Sequence, residues 1–264
     1  MSAGRPGDDP GALPGGRSRG QAEDLGGERM RVVAIGAHPD DIELGCGGTL
    51  LAHRAAGDDV TMLVMTAGDI GPQGTVDRRQ EQAEAAALLG ARLVWGGFDD
   101  GAVPDGVDAV SVIQRVVADA DVVYTHSVHD THQDHRATAR ASFAAARRVA
   151  RVLSYESPSS VDFEPALFFD VDGHVEHKLE LVRAHLSQVL GCGLVDLEAV
   201  EAQARFRGFQ ARAQHAEAFE VHRFLWRRRV ATPGATPVEV LGLADVDGPD
   251  GVGDPERPPV QEVP

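Results

Sequence analysis

Between residues 31 and 171, short apolar runs alternate with longer stretches in which apolar residues recur every three or four positions. The runs at 32–37, 60–66, 92–95, 122–125, 152–155 and 167–171 are rich in Val, Leu and Ile and too short for helices, which predicts strands. The segments between them at 49–56, 78–89, 107–118 and 136–148 predict helices. A strand that is apolar at consecutive rather than alternate positions is covered on both faces, as in a parallel sheet. The pattern therefore predicts an α/β fold: a doubly wound, mainly parallel sheet with helices on both faces. Beyond residue 171, Val175, Leu179, Val182, Leu186 and Val189 step at three or four, a stripe that packs a helix onto a core. A weaker helical pattern covers about 197–215.

In such a sheet, ligands sit beyond the C-terminal ends of the strands, where strand order reverses. Two polar clusters fall there. The first strand runs into "GAHPDDIELGCGG" (36–48), which carries His38, Asp40, Asp41 and Glu43. The fourth runs into "YTHSVHDTHQDH" (124–135), which carries His126, His129, His132, His135, Asp130 and Asp134. Each cluster alone has an ordinary reading, because an Asp after a strand commonly caps the next helix and surface histidines are frequent. First and fourth strands are commonly neighbours at the switch point, so the two clusters together predict one crevice with a metal site. Imidazoles with a carboxylate suit Zn²⁺, and Fe²⁺ fits the same donors. Pro39 stiffens the first turn. Gly45, Gly47 and Gly48 match no dinucleotide fingerprint and no phosphate-loop Lys follows, so they are expected to let the next helix approach the sheet closely. Cys46 is expected to be a small buried residue rather than a ligand.

The chain has 264 residues and a formal net charge of -16, which argues against a nucleic-acid partner. Two cysteines cannot form a disulfide framework, and there is no apolar run of membrane-spanning length and no secretory h-region. The cytoplasm is the expected compartment, and homo-oligomerisation is left open. Residues 1–29 and 244–264 are rich in Gly, Pro and charge and are expected to be disordered tails around one catalytic domain at 30–243.

"AHPDDIELGCGGTL" with "HQDH" downstream resembles the PIG-L/LmbE-like zinc-dependent N-deacetylases. The resemblance spans about 31–225 and includes "RRQEQAEAAALLGA" (78–91), "YESPSS" (155–160), "HLSQ" (185–188) and "AEAF" (216–219). It implies a Rossmann-like fold and one zinc per chain, held by His38, Asp41 and His135. It implies Asp40 as general base, His132 as a protonated partner that stabilises the oxyanion, Asp134 as the residue that orients His132, and Arg78 as a substrate contact. The implied substrate is a small N-acetylated amino sugar of the N-acetylglucosamine type. Two alternatives stay open: a metal-dependent hydrolase of another bond, such as the amide of a thiol–sugar conjugate or a phosphoester, and a non-catalytic Rossmann-like module that binds a sugar or nucleotide. Specificity is expected from the loops at 67–77, 98–106 and 126–131.

Overall fold

A computed structural model of the chain describes residues 29–70, 77–191 and 195–226. The elements are β1 (Arg31–Gly36), α1 (Asp41–Ala55), β2 (Asp59–Thr66), α2 (Arg78–Leu89), β3 (Arg92–Phe98), α3 (Val107–Val117), β4 (Val122–His126), α4 (Gln133–Ala145), β5 (Arg151–Tyr155), β6 (Leu167–Asp170), α5 (Val175–Arg183), α6 (Leu197–Ala211) and β7 (Ala216–Phe224). Of the expected tails only Arg29 is among the described residues; 227–243, residues 71–76 of the Gly-rich loop and Cys192 also lie outside them. Among the described residues no helix is long and apolar enough to cross a membrane.

The seven strands form one sheet in the order β3-β2-β1-β4-β5-β7-β6. β1 pairs in parallel with β2 on one side and β4 on the other, so the expected neighbours at the switch point are neighbours. β2–β3 and β4–β5 are also parallel, while β7 runs antiparallel to both β5 and β6. Successive residues of β1 feed opposite cores. Val32 and Ala34 join Ile42 and Leu50 of α1 and Ala86 and Leu89 of α2. Val33 and Ile35 join Ile113 and Val117 of α3 and Ala137 and Ala141 of α4. This two-sided burial is why the strand reads as an unbroken apolar run.

Three elements differ from the expectation: α5, α1 and β7. The stripe expected to continue through Leu186 and Val189 ends with α5 at Arg183, and Leu186 is exposed. The helix expected from residue 49 begins at Asp41, and its backbone breaks at Cys46, with φ -146° and ψ 19°. A methyl group at Gly45 would overlap the Tyr155 ring, so glycine lets α1 settle on β5, where the Tyr155 hydroxyl donates to Ile35 O at 2.8 Å. Past the break, the N–H groups of Gly48 and Thr49 donate to Glu217 Oε1 and Oε2 at 2.9 and 2.7 Å. Lys178, the only lysine in the sequence, donates to Glu217 Oε1 at 2.6 Å and to Leu44 O at 2.8 Å. Glu217 thus caps the second half of α1 from β7, a strand the sequence pattern did not reveal. A buried charge in the middle of its short apolar stretch hides the strand.

Removing one member of a buried ion pair leaves the other charge uncompensated. Glu217→Ala is expected to destabilise the protein by about 3–5 kcal/mol, read from the midpoint of urea unfolding. A change below about 1 kcal/mol, the scale of an exposed pair, would contradict the capping role.

Candidate metal centre

Both polar clusters come to the C-terminal edge of the sheet. After β1 the chain turns at Ala37–Pro39 and reaches Asp40, whose backbone is left-handed, with φ 93° and ψ -26°. That conformation is uncommon for a residue with a side chain and marks a position held in place by its surroundings. Asp41 opens α1, and its Oδ2 accepts the His38 N–H at 2.7 Å. On the neighbouring β4, the chain passes His126 and a loop before α4. His132 caps α4 by accepting the Asp134 N–H on Nδ1 at 3.2 Å, and His135 stands in its first turn.

Two imidazole nitrogens and both oxygens of Asp41 converge, each oxygen facing a different ring. His135 Nε2 lies 3.3 Å from His38 Nδ1 and 3.3 Å from Asp41 Oδ1, and His38 Nδ1 lies 3.5 Å from Asp41 Oδ2. Donors bonded to one tetrahedral ion at about 2.0–2.1 Å stand roughly 3.3–3.4 Å apart, so this set fits a single small divalent cation. The outer ring nitrogens face carboxylates. His38 Nε2 is 3.1 Å from both Asp134 Oδ2 and Asp100 Oδ1, and His135 Nδ1 is 3.0 Å from Asp130 Oδ2. A carboxylate behind a ligating imidazole fixes its tautomer and aims its lone pair, the usual arrangement at metal sites. The carboxylates are themselves held: Asp134 by the N–H groups of Gly101 and Val103, and Asp130 by Ser157 Oγ and the His132 N–H.

His38, Asp40, Asp41, Arg78, His132 and His135 line one cleft of about 370 Å³, with Leu44, Ile70, Pro158 and Val195 as apolar walls. Asp134 lies behind it. This corrects one expected role: the Asp134 carboxylate buttresses His38 rather than His132, because its oxygens are taken by His38 and two backbone N–H groups. His132 accepts a hydrogen bond on Nδ1, and burial and the neighbouring His38 and His135 lower its pKa. Arg78 stands 3.5 Å from Asp40 Oδ1 and donates to Pro39 O at 2.6 Å, so it braces the turn while lining the cleft.

The charges follow from this crowding. Burial alone would depress the His38 pKa, but Asp100, Asp134 and Asp41 outweigh it and hold it up to about 12. Burial likewise works against His135, which Asp41 and Asp130 raise to about 9. Burial would raise Asp41, yet His135 and His126 keep it well below the ordinary carboxylate range. Asp40 goes the other way: burial and the adjacent Asp41 push it up to about 7. Two neighbours were not assigned from the sequence. Asp100 follows β3, so the strand-end rule that found the other clusters would have found it. His126 was inside the second cluster but carried no role. It is fully buried, accepts the Ala37 N–H on Nε2 at 3.0 Å, and lies 3.1 Å from Asp41 Oδ2.

A family model described as PIG-L, GlcNAc-PI de-N-acetylase, matches residues 33–146, a stretch that contains both clusters, Arg78 and Asp100. The uncharacterized deacetylase YaiS of Escherichia coli (strain K12) is 34% identical over 171 residues, covering 61% of this chain and 92% of that protein. Diacetylchitobiose deacetylase of Thermococcus kodakarensis is 29% identical over 191 residues, covering 60% of this chain and 70% of that protein. Among solved structures, the conserved protein TT1542 from Thermus thermophilus aligns with a TM-score of 0.67 at 29% identity, over 76% of this chain and 100% of that one. With both clusters inside the matched region and nearly the whole of a relative covered, the chain belongs to the PIG-L/LmbE-like N-deacetylase family.

Proposed function

We propose that the chain removes the N-acetyl group from an N-acetylglucosamine-type sugar conjugate, with one zinc ion held by His38, Asp41 and His135 and with Asp40 as general base. The observation that carries this reading is the trio of residues His38, Asp41 and His135, whose donor atoms contact one another at 3.3–3.5 Å, with a further carboxylate, Asp40, on the same cleft. A module that only bound a sugar or nucleotide would have no use for that extra carboxylate. Fe²⁺ fits the same donors. The sugar class is supported by the chitobiose relative and by family membership.

Hydrolysis adds water across the amide C–N bond: the hydroxyl oxygen joins the acyl carbon, and the nitrogen leaves with a proton. An ion bound to the three residues would supply Lewis acidity and lower the pKa of water to about 7. Asp40, with its pKa pushed up to about 7, is basic enough to take the water proton near neutrality and acidic enough to return it to the departing nitrogen. Arg78 steadies the Asp40 carboxylate from 3.5 Å. As charge grows on the acyl oxygen, His132 donates to it from Nε2, the one ring donor left free by the Nδ1 contact.

Asp40→Asn is expected to keep the metal and to lower acetate release by about 10²–10⁴. The measurement is metal content together with acetate release from a panel of N-acetylglucosamine conjugates. Release from no member of the panel by the metal-loaded wild type would sink the acetyl-sugar reading. Asp134→Ala is expected to weaken metal binding by about 10–100-fold through His38, measured by competition with a chromophoric chelator. Unchanged affinity would mean that Asp134 does not hold His38 for the metal.

A further inference from the structure

Apart from Arg78, two sequence stretches take no part in the chemistry above: "RRQEQ" (78–82) and "HLSQ" (185–188). They meet directly behind Asp40. On α2, Glu81 and Gln82 are adjacent and project in different directions. Glu81 accepts the Ser187 N–H at 2.7 Å and the Ser187 Oγ–H at 2.6 Å, which docks α2 onto the segment that carries His185. Gln82, fully buried, turns toward the first cluster. Its Nε2 donates to Glu43 Oε1 at 2.7 Å, and its Oε1 accepts the Asp40 N–H at 3.3 Å. His185, also fully buried, stands with Nε2 3.4 Å from the same Glu43 oxygen.

The direction of this chain of contacts is fixed by chemistry. A backbone N–H only donates, so the Gln82 carbonyl must face Asp40 and its amide nitrogen faces Glu43. Gln82 therefore satisfies the one backbone donor of the residue whose φ is 93°. Neither Glu nor Met can do both jobs at this position. Resting on the reading of Asp40 as the base, we propose that Gln82 is a positioning residue for the reaction: oriented by Glu43, its amide holds the left-handed backbone of Asp40 and so aims the Asp40 carboxylate into the cleft.

The test compares the metal-loaded wild type with Gln82→Met, which keeps the volume but loses both hydrogen bonds, and with Gln82→Glu, which loses the donor to Glu43. Amide exchange at Asp40 is followed by NMR, and kcat, KM and metal content are measured on the best acetylated substrate. Both variants should retain the metal and speed Asp40 exchange by about tenfold or more, leaving Val33 in β1 unchanged; kcat should fall by at least about tenfold, with KM within about twofold, because misaimed groups cost rate rather than binding. Unchanged exchange at Asp40, unchanged kcat, or a loss that tracks KM or metal content would overturn the proposal. Should the wild type release acetate from no substrate, the deacetylase reading fails, and the exchange rate still decides whether Gln82 holds Asp40.

Discussion

Two imidazole nitrogens, and the two oxygens of one carboxylate that each face one of them, are brought from two strand ends to contacts of 3.3–3.5 Å and repel unless a proton or a cation lies between them. The chain alone meets this constraint with protons, which is why His38 and His135 are held up to about 12 and about 9 against the depressing effect of burial. A divalent ion would displace those protons and satisfy all three donors at once. Much of the remaining structure serves to keep the donors there. The parallel pairing of β1 with β4 sets the two clusters side by side, and Asp100, Asp134 and Asp130 lock the rings from behind. Gly45 and Glu217 seat and cap the broken helix that presents Asp41.

The two adjacent aspartates show how one turn yields two chemically different carboxylates. Asp41 opens α1 between His38, His126 and His135, and those rings keep it ionised. Asp40, one residue earlier, is left-handed, and its carboxylate is turned away from those rings toward Arg78 and the cleft. Burial and the neighbouring negative charge raise its pKa. A left-handed non-glycine residue costs about 1–3 kcal/mol, which the surrounding hydrogen bonds must offset. One of the left-handed non-glycine positions thus falls at the residue proposed as the base.

The sheet was legible because its strands are buried on both faces and so read as continuous apolar runs. The motif clusters were legible because they fall at the ends of those runs. What stayed hidden depends on buried polar groups, whose partners lie far away in sequence. The first half of α1 contains Gly45, Gly47 and Gly48, poor helix formers, of which Gly45 and Gly48 are nevertheless required by the packing against Tyr155 and Val171. β7 carries Glu217 at its second position, and its partner Lys178 is 39 residues away. Asp134 lies two residues from His132 in sequence, which made His132 its natural partner, yet the helix geometry turns its carboxylate to His38, 96 residues away. Asp100 reaches the same ring from the end of β3 without any motif to mark it.

The central claim is that two histidines and one aspartate, with no cysteine, hold a single ion. X-ray absorption at the zinc edge of the zinc-loaded protein tests it most directly. The account predicts one shell of nitrogen and oxygen donors at about 2.0–2.1 Å, with the outer-shell scattering of two imidazoles. A sulfur shell at about 2.3 Å, or scattering from three imidazoles or none, would contradict it.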